Sequence, residues 1–266
     1  MPRLVTAHSN PLIKSVRALR DKKGRREQGS FLAEGLRLLT DAREGGRLPS
    51  ILLFTPNAAA HPLAAALIAE TEAAGGDAVE TTPEILSKTT GKDNAQGVLG
   101  VFRIPDTSLH RLDRAAAPLW IVAQALRDPG NLGTILRTGD AVGAGGLVLI
   151  DDCADPFSVE AVRASMGALF TQSVAAARWE EFLPWLRAGE GQLVATSLQA
   201  SEDYQQPRYA KPCFLLVGNE QAGLPAAYAD AADLRVRMPM LGRADSLNAA
   251  VATAVMAYEV INQWRR

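Results

Sequence analysis

The second half of the chain alternates short apolar runs with helix-like segments, and this alternation constrains the fold more than any other feature. Four runs carry few polar residues, which is typical of strands buried on both faces of a sheet. They span residues 119–126, 147–150, 193–196 and 214–217. Helical periodicity covers residues 131–142, 159–169 and 246–264. The pattern predicts an α/β domain with a mostly parallel sheet.

The first hundred residues alternate in the same way and predict a second, smaller α/β domain. Its strand-like runs are 30–33, 51–54 and 98–102, and its helix-like segments are 11–23, 35–44 and 61–73. A polar stretch between Pro105 and Pro118 has no strong apolar period. We therefore predict a small domain over 1–104, a linker over 105–118 and a larger domain over 119–266.

Charge is distributed unevenly along the 266 residues. The whole chain has a formal net charge of −1, yet residues 1–50 hold eleven Lys or Arg and five Asp or Glu, a net of +6. The seven basic residues of the densest stretch are Lys14, Arg17, Arg20, Lys22, Lys23, Arg25 and Arg26. Such asymmetry fits either a basic arm that contacts a polyanion or a solvated amphipathic helix.

Several classes of protein are not expected from this sequence. No apolar run resembles a signal peptide or reaches the length of a membrane span, so we expect a cytoplasmic protein. The two cysteines, Cys153 and Cys213, lie far apart and lack the Cys-x-x-Cys spacing. We therefore expect neither a disulfide framework nor a metal site.

Three loops that follow predicted strands carry polar residues that a core does not need. In open α/β sheets, ligands bind outside the carboxyl ends of the strands. The first loop, 128–137, reads Asp-Pro-Gly-Asn-Leu-Gly-Thr-Ile-Leu-Arg. Asn131 is expected to cap the following helix. Arg137 is either a solvated charge or a phosphate ligand, for which its planar guanidinium group is suited.

The second and third loops end in helix starts as well. Residues 218–225 read Gly-Asn-Glu-Gln-Ala-Gly-Leu-Pro, and Gly218 permits close approach of the backbone to a ligand. Residues 238–248 run from Met-Pro-Met to Ser-Leu-Asn. Ser246 is expected to cap the closing helix. The free amide groups at that helix start favour an anion.

Together these loops carry a family resemblance over about 119–264. They resemble the three motifs of the SpoU (TrmH-like) RNA 2′-O-ribose methyltransferases, Asn-x-Gly-x-x-x-Arg, Gly-Asn-Glu-x-x-Gly-Leu, and a proline turn with Ser-Leu-Asn. Residues 163–170 resemble a fourth family segment. Residues 10–14 and 31–39 more loosely resemble the L30e-like substrate-binding domain of the family.

The resemblance implies a SPOUT fold with a deep trefoil knot, a homodimer, and S-adenosylmethionine as the methyl donor. It implies a donor pocket at Thr196, Gly218, Asn219, Met238, Leu241 and Leu247. Asn131, Arg137, Glu220, Ser246 and Asn248 become the implied catalytic residues. RNA, ribosomal or transfer, would contact the first domain through Lys14, Arg17, Lys22, Lys23, Arg25 and Arg26.

The reaction joins an alcohol oxygen to the methyl group of a sulfonium. The weakly acidic hydroxyl must be oriented or deprotonated. The three histidines, His8, His61 and His110, all precede residue 119, so the motif-bearing region offers no histidine base. The candidates left are Arg137 and Glu220, with Asn131, Ser246 and Asn248 as positioning groups. Arg137 is either the base, as proposed for the family, or the group that binds the neighbouring phosphate and stabilises the alkoxide. We favour the second role because a guanidinium group stays protonated in proteins.

Other interpretations have weaker support. A SPOUT-fold protein that binds RNA without methylating it is the main alternative, although the polar motif residues are all present. A dinucleotide-dependent oxidoreductase lacks its Gly-x-Gly-x-x-Gly fingerprint after a strand. The motif pair Asn-x-Gly-x-x-x-Arg and Ser-Leu-Asn favours ribose over base methylation.

Overall fold

A computed structural model describes residues 2–266, and the chain divides into two compact units. The first unit runs to Pro105 and also includes Asp155–Thr171. The second unit comprises Asp106–Ala154 and Gln172–Arg266. The sequence pattern contained no sign that Asp155–Thr171 groups with the first hundred residues.

The described residues form strands and α-helices that we number in chain order. The strands are β1 (Arg3–Val5), β2 (Ser30–Glu34), β3 (Ile51–Phe54), β4 (Asp77–Thr81), β5 (Val98–Arg103), β6 (Leu119–Gln124), β7 (Gly146–Ile150), β8 (Ser173–Ala177), β9 (Gln192–Thr196), β10 (Glu202–Asp203), β11 (Cys213–Val217) and β12 (Leu234–Arg237). The helices are α1 (Pro11–Ala18), α2 (Lys22–Gln28), α3 (Leu36–Glu44), α4 (Pro56–Ala59), α5 (Pro62–Ala73), α6 (Pro83–Thr90), α7 (Pro129–Ala141), α8 (Val159–Ala164), α9 (Trp179–Arg187), α10 (Ala226–Asp230) and α11 (Ala249–Arg265). Short 3₁₀ turns span Leu109–Arg111, Arg114–Ala116 and Ala168–Phe170.

The second unit is built on a seven-stranded sheet in the order β10-β12-β9-β11-β6-β7-β8. Every pair in it is parallel, as the apolar runs predicted. Strands β6, β7 and β11 are buried along their whole length. Trp120 and Phe214 sit opposite each other on neighbouring strands with their rings stacked at 6.2 Å. The sheet therefore has a fixed register in the middle, where the site loops begin.

The first unit contains a mixed five-stranded sheet in the order β1-β4-β3-β5-β2. Strand β5 is antiparallel to both of its neighbours, while β4 is parallel to β1 and β3. Its core consists of aliphatic side chains from the sheet, α1 and α6. The alternation of the first hundred residues is thus an α/β domain, as predicted.

Three predicted helices differ from the observed ones by more than two residues at one end. The segment 11–23 breaks into α1 and α2, and a Cβ atom at Gly24 would lie 2.0 Å from the carbonyl oxygen of Ala18. The helix predicted over 159–169 ends at Ala164, because Met166 and Gly167 take positive φ angles of 49° and 96°. The closing helix begins at Ala249, not at residue 246.

Strands β1, β4, β8, β10 and β12 were not predicted from the sequence. They are short, or they carry polar residues that break the apolar pattern, as the two arginines of β12 do. Within residues 2–266, no helix is both long and apolar enough to span a lipid bilayer.

Candidate active site

Asn131 lies inside α7, and its side chain is not used to cap that helix. Asp128 is the N-cap: its Oδ1 atom accepts a hydrogen bond of 2.6 Å from the Asn131 amide nitrogen. The predicted capping role of Asn131 is therefore wrong. The signal for the correct cap was Pro129, since proline is favoured at the first helical position directly after the cap.

The freed Asn131 side chain joins two of the predicted site residues. Its Nδ2 atom donates to Oε1 of Glu220 at 3.0 Å, and its Oδ1 atom accepts from Nδ2 of Asn248 at 3.0 Å. Glu220 follows β11 and Asn248 precedes α11. The hydrogen-bonded chain Glu220–Asn131–Asn248 thus connects all three motif loops.

Asn248 caps α11, a role predicted for Ser246. Its Oδ1 atom accepts from the amide nitrogens of Ala250 at 2.9 Å and Val251 at 3.3 Å. The Ser246 hydroxyl instead donates to Oδ1 of Asp245 at 3.3 Å and is exposed. One amide side chain at residue 248 therefore fixes the helix start and points its donor at Asn131.

The loop after β11 is held by Asn219. Its Nδ2 atom donates to the Ala125 carbonyl oxygen at 2.7 Å, and its Oδ1 atom accepts from the amide nitrogens of Gln221 and Ala222, each at 2.9 Å. Ala125 follows the neighbouring strand with a positive φ angle of 49°. These bonds join the first two motif loops and fix the position of the adjacent Glu220.

Gly218 is required where the chain leaves β11. A Cβ atom there would lie 2.6 Å from the carbonyl carbon of Gly223 and 2.6 Å from the amide nitrogen of Leu224. Both are backbone atoms, which cannot move aside as a flexible side chain can. The loop therefore folds back on itself more closely than any other residue type allows.

A cavity of about 980 Å³ opens beside this loop at the carboxyl ends of β9, β11 and β12. Five of the six predicted cofactor residues line it: Thr196, Gly218, Asn219, Met238 and Leu247. Glu220 and Ser246 line it as well. Leu241 does not line it, and this side chain is 98% exposed. The predicted contact of Leu241 with the cofactor stays a prediction.

The residues that line this cavity fit S-adenosylmethionine. Its volume lies in the range of roughly 300–1,000 Å³ that small-molecule sites have. Apolar side chains such as Leu224 and Met240 offer surface for an adenine ring, while carboxylates such as Glu202 suit a cationic ligand. The tight Gly218 turn also lets backbone amides approach the ligand directly.

Asp233 is a cavity residue that was not predicted from the sequence, because no motif contains it. Its Oδ2 atom accepts from Nη1 of Arg187 at 2.9 Å and from the Leu193 amide nitrogen at 2.7 Å. Desolvation opposes ionisation, but these hydrogen bonds and the charge of Arg187 together lower the pKa of the Asp233 carboxyl. The Asp233 carboxylate is therefore ionised at neutral pH and paired with Arg187.

Arg137 lies on α7, six residues after Asn131, and does not line the cavity. Its side chain is exposed, and no hydrogen bond or ion pair engages it among the residues described. The fold neither buries this guanidinium group nor pairs it with another described residue. It is therefore available to a ligand outside this chain.

The predicted basic cluster is exposed except at one position. Lys14, Arg17, Arg20, Lys22, Lys23 and Arg26 are all exposed. Arg25 is only 4% exposed; it binds Asp155 through Nε at 2.8 Å and Nη2 at 2.7 Å, and it donates to the Leu19 and Arg20 carbonyl oxygens. We remove Arg25 from the candidate RNA contacts, because its donors are committed to the fold.

No group of three or more His, Cys, Asp or Glu side chains is positioned to hold a metal ion in the described part of the chain. Cys153 and Cys213 are free thiols. Burial raises the pKa of Cys153 to about 11 and that of Cys213 to about 12. Both thiols are therefore protonated near neutral pH and act as packing residues.

Comparison with known proteins agrees with this geometry. Residues 118–258 match the model of the SpoU rRNA methylase family, and residues 10–100 match the MRM3-like substrate-binding domain. The chain is 31% identical over 257 residues to the 23S rRNA (guanosine(2553)-2′-O)-methyltransferase RlmP of Bacillus subtilis, covering 96% of this chain and 98% of that protein. It is also 31% identical to the 23S rRNA (uridine(2479)-2′-O)-methyltransferase of Streptomyces viridochromogenes, covering 92% and 87%.

Solved structures extend the likeness to the fold. The AdoMet-bound rRNA methyltransferase from Sinorhizobium meliloti is 42% identical, with a TM-score of 0.91 over 98% of this chain and 97% of that one. The SpoU methyltransferase AviRb from Streptomyces viridochromogenes, in complex with AdoMet, is 30% identical, with a TM-score of 0.85 over 96% and 98%. The motif loops, the family match and these structures agree: the chain belongs to the SpoU rRNA methylase family.

Proposed function

We propose that this protein transfers a methyl group from S-adenosylmethionine to a ribose 2′-hydroxyl of ribosomal RNA. The observation that carries the proposal is the hydrogen-bonded chain Glu220–Asn131–Asn248, which draws three distant loops to one side of a cavity. A protein that bound RNA without methylating it would need neither these hydrogen bonds nor the tight Gly218 loop.

Thr196, Gly218, Asn219, Met238 and Leu247 are the residues that would hold S-adenosylmethionine. When bound, it supplies an electrophilic methyl group on a sulfonium, from which the sulfur departs as a neutral thioether, a good leaving group. The Thr196 hydroxyl already donates to the Leu216 carbonyl oxygen at 3.3 Å, so this side of the cavity is fixed before any ligand arrives. Such pre-organisation lowers the cost of binding.

The ribose hydroxyl must be oriented and lose its proton as it reacts. Glu220 lines the cavity, and one of its carboxylate oxygens is held by Asn131. The other oxygen accepts no hydrogen bond within residues 2–266 and is open to a hydroxyl donor. Glu220 thus has the geometry to orient the hydroxyl and to accept its proton as the O–CH3 bond forms, and Asn131 and Asn248 act as positioning residues.

We assign Arg137 to the phosphate beside the target ribose. Its guanidinium group is exposed, and the planar guanidinium geometry matches a phosphate bidentately. From that position its charge would also stabilise the developing alkoxide. The exposed basic cluster of the first unit, residues 14–26 without Arg25, supplies further phosphate contacts.

Ribosomal RNA is preferred over transfer RNA because of two relatives that match over most of their length. The proteins named above from Bacillus subtilis and Streptomyces viridochromogenes are 23S rRNA methyltransferases, and this chain covers 98% and 87% of them. Other relatives carry mixed tRNA/rRNA names, which do not oppose this choice. An rRNA substrate fits action in the cytoplasm.

A homodimer is also part of the proposal. Leu247, Val251, Val255 and Tyr258 are 40%, 49%, 36% and 46% exposed. The last three follow helical spacing and share one face of α11, leaving an apolar stripe for a partner. Sedimentation of wild type and of Val255→Glu tests this: we expect a dimer that the charge converts to monomer. The trefoil knot implied by the family stays a prediction.

Mapping 2′-O-methylation in total RNA from cells with and without the gene tests the substrate. We expect loss of ribose methylation at a ribosomal position, restored by purified protein and S-adenosylmethionine. Missing methylation in transfer RNA would correct the substrate. If the map is unchanged and calorimetry finds no binding of S-adenosylmethionine or S-adenosylhomocysteine, the RNA-binding alternative without methylation replaces the proposal.

A further inference from the structure

The first unit contains a second cavity, of about 420 Å³, that the proposed reaction does not use. It is lined by loops that follow α3, α5 and β5, by Phe31 of β2, and by three residues of the segment Asp155–Thr171. All of them lie within the first unit. Its volume is within the range of small-ligand sites.

The floor of this cavity is aromatic. Phe31 stacks on Phe102 at 5.8 Å, and Phe170 lies 4.8 Å from Phe102 and 6.0 Å from Phe31. Phe157 approaches Phe31 at 5.2 Å. The four rings are buried and hold the segment Asp155–Thr171 against β2 and β5. Packing alone accounts for these rings but not for the charge at the rim.

Arg47 and Arg103 are the charged residues that line the cavity, and no acidic residue does so. Both arginines are exposed, and neither forms a hydrogen bond or ion pair with its side chain among the described residues. Some other arginines of this unit do have acidic partners, as Arg3 has Asp77 and Arg43 has Glu70. Two arginines without acidic partners, next to an apolar floor, favour a ligand that is anionic at one end and flat and apolar at the other.

Backbone at the mouth leaves room for such a ligand. Gly46 and Gly75 line the cavity with φ angles of 73° and 81°, and a Cβ atom at either would meet nothing within 4 Å. The loops therefore present bare backbone and empty space beside Arg47. A nucleotide has the matching chemistry: a phosphate for the arginines, and a base that stacks on apolar and guanidinium planes.

We propose that this cavity binds one unpaired nucleotide of the substrate RNA, with its phosphate between Arg47 and Arg103 and its base over the aromatic floor. The proposal rests on the proposed function only in that RNA is the ligand. It assigns the first unit a role in selecting single-stranded or bulged RNA, in addition to the sequence-independent attraction of the exposed basic cluster.

The test measures binding of full-length protein to a short labelled single-stranded RNA and to a duplex of the same length. Ala74 is an exposed lining residue with an ordinary backbone conformation, so Ala74→Glu blocks the cavity without disturbing the core. Ala65→Glu adds the same charge to an exposed position of α5 that does not line the cavity. A second pair compares Arg47→Gln/Arg103→Gln with Arg111→Gln/Arg266→Gln, exposed arginines elsewhere.

We expect Ala74→Glu and the Arg47/Arg103 double variant to weaken single-strand binding about tenfold, while both controls stay at the wild-type affinity. In the arginine variant the salt slope should fall by about 0.7, because one phosphate is no longer bound. Duplex binding should change little. Equal affinities of Ala74→Glu and Ala65→Glu, or equal losses for single strand and duplex, overturn the proposal.

This binding assay needs no methyl transfer, so its failure is distinct from failure of the proposed function. If wild-type protein methylates no RNA but the variants lose single-strand binding as described, the cavity proposal stands and the enzyme proposal falls. If wild type methylates RNA and the four variants bind alike, the cavity proposal falls alone.

Discussion

The Nδ2 atom of Asn248 donates a hydrogen bond to Oδ1 of Asn131 at 3.0 Å, although 117 residues separate them in the chain. This bond fixes the orientation of the Asn131 amide, so that its Nδ2 atom faces Glu220 and donates to the carboxylate. The orientation of a single amide group therefore depends on a helix cap at one end and a carboxylate at the other. This relationship underlies the first of five predictions.

Asn248→Asp should separate stability from activity. An aspartate keeps the oxygen that caps α11, so the melting temperature should stay close to wild type. The side chain of Asn131 would then lie between two carboxylates, that of Glu220 and the one introduced at position 248, neither of which can donate a hydrogen bond when ionised. Because Asn131 has one amide oxygen, in either orientation that oxygen would face one of the two carboxylates. We expect kcat to fall about tenfold or more. Asn248→Ala, the comparison, should lose activity and about 1 kcal/mol of stability. Wild-type turnover in Asn248→Asp would contradict the role of the hydrogen-bonded chain.

Arg137→Ala should abolish methyl transfer, a loss of about 10²-fold or more, without unfolding the protein. The side chain is exposed, so the free energy of unfolding should change by less than about 0.5 kcal/mol. Calorimetry should give a wild-type affinity for S-adenosylmethionine, because Arg137 does not line the cavity. Thr134→Ala, exposed one turn earlier on α7, is the control. An Ala variant with wild-type kcat would remove Arg137 from the mechanism.

Gly218→Ala should weaken binding of S-adenosylmethionine. The added Cβ atom would press on the backbone of Gly223 and Leu224 at 2.6 Å, forcing the loop outward. We expect a cost of about 1–3 kcal/mol in stability and a measurable rise in the dissociation constant by calorimetry. Gly242→Ala is the matched control, since a Cβ atom there meets nothing within 4 Å. Equal affinities of the two variants would show that the turn does not shape the cofactor cavity.

Arg25→Ala should destabilise the first unit by about 3–5 kcal/mol, as removal of one partner from a buried ion pair does. Asp155 would be left without its guanidinium partner, with only 17% of its side chain exposed. Arg26→Ala removes the same charge from an exposed neighbouring position and should change stability by less than about 0.5 kcal/mol. Denaturant unfolding of both variants measures the difference. Similar midpoints would mean that the pair contributes little.

Charge reversal in the exposed basic cluster should weaken RNA binding in proportion to the number of phosphates that the cluster no longer neutralises. For Lys22→Glu/Lys23→Glu we expect the slope of log affinity against log salt to flatten by about 0.7–0.9 for each such phosphate. Lys88→Glu/Lys211→Glu, which lies outside the cluster, is the comparison. An unchanged slope in the cluster variant would exclude residues 14–26 as the RNA-binding surface.

Much of the site could be found in the sequence because its motifs stand next to apolar runs whose strand character is unambiguous. The runs 119–126 and 214–217 marked β6 and β11, so the polar loops after them had to share one edge of a parallel sheet. Strand β12 was not predicted because Arg235 and Arg237 interrupt its apolar pattern. The part of the cavity wall that contains Asp233, next to this strand, was therefore not predicted either.

The amino-acid sequence by itself determined the α/β class, the family motifs and the residues that can meet at the site, since these follow from local periodicity and residue type. Only the tertiary structure decided which polar atom meets which. Asp128 and Asn248 became the helix caps in place of Asn131 and Ser246, and this freed the Asn131 amide for Glu220. Likewise Arg25 became a buried partner of Asp155 although it stands among exposed basic neighbours. Hydrogen-bond partners depend on distances between segments far apart in the chain, and local sequence does not encode those distances.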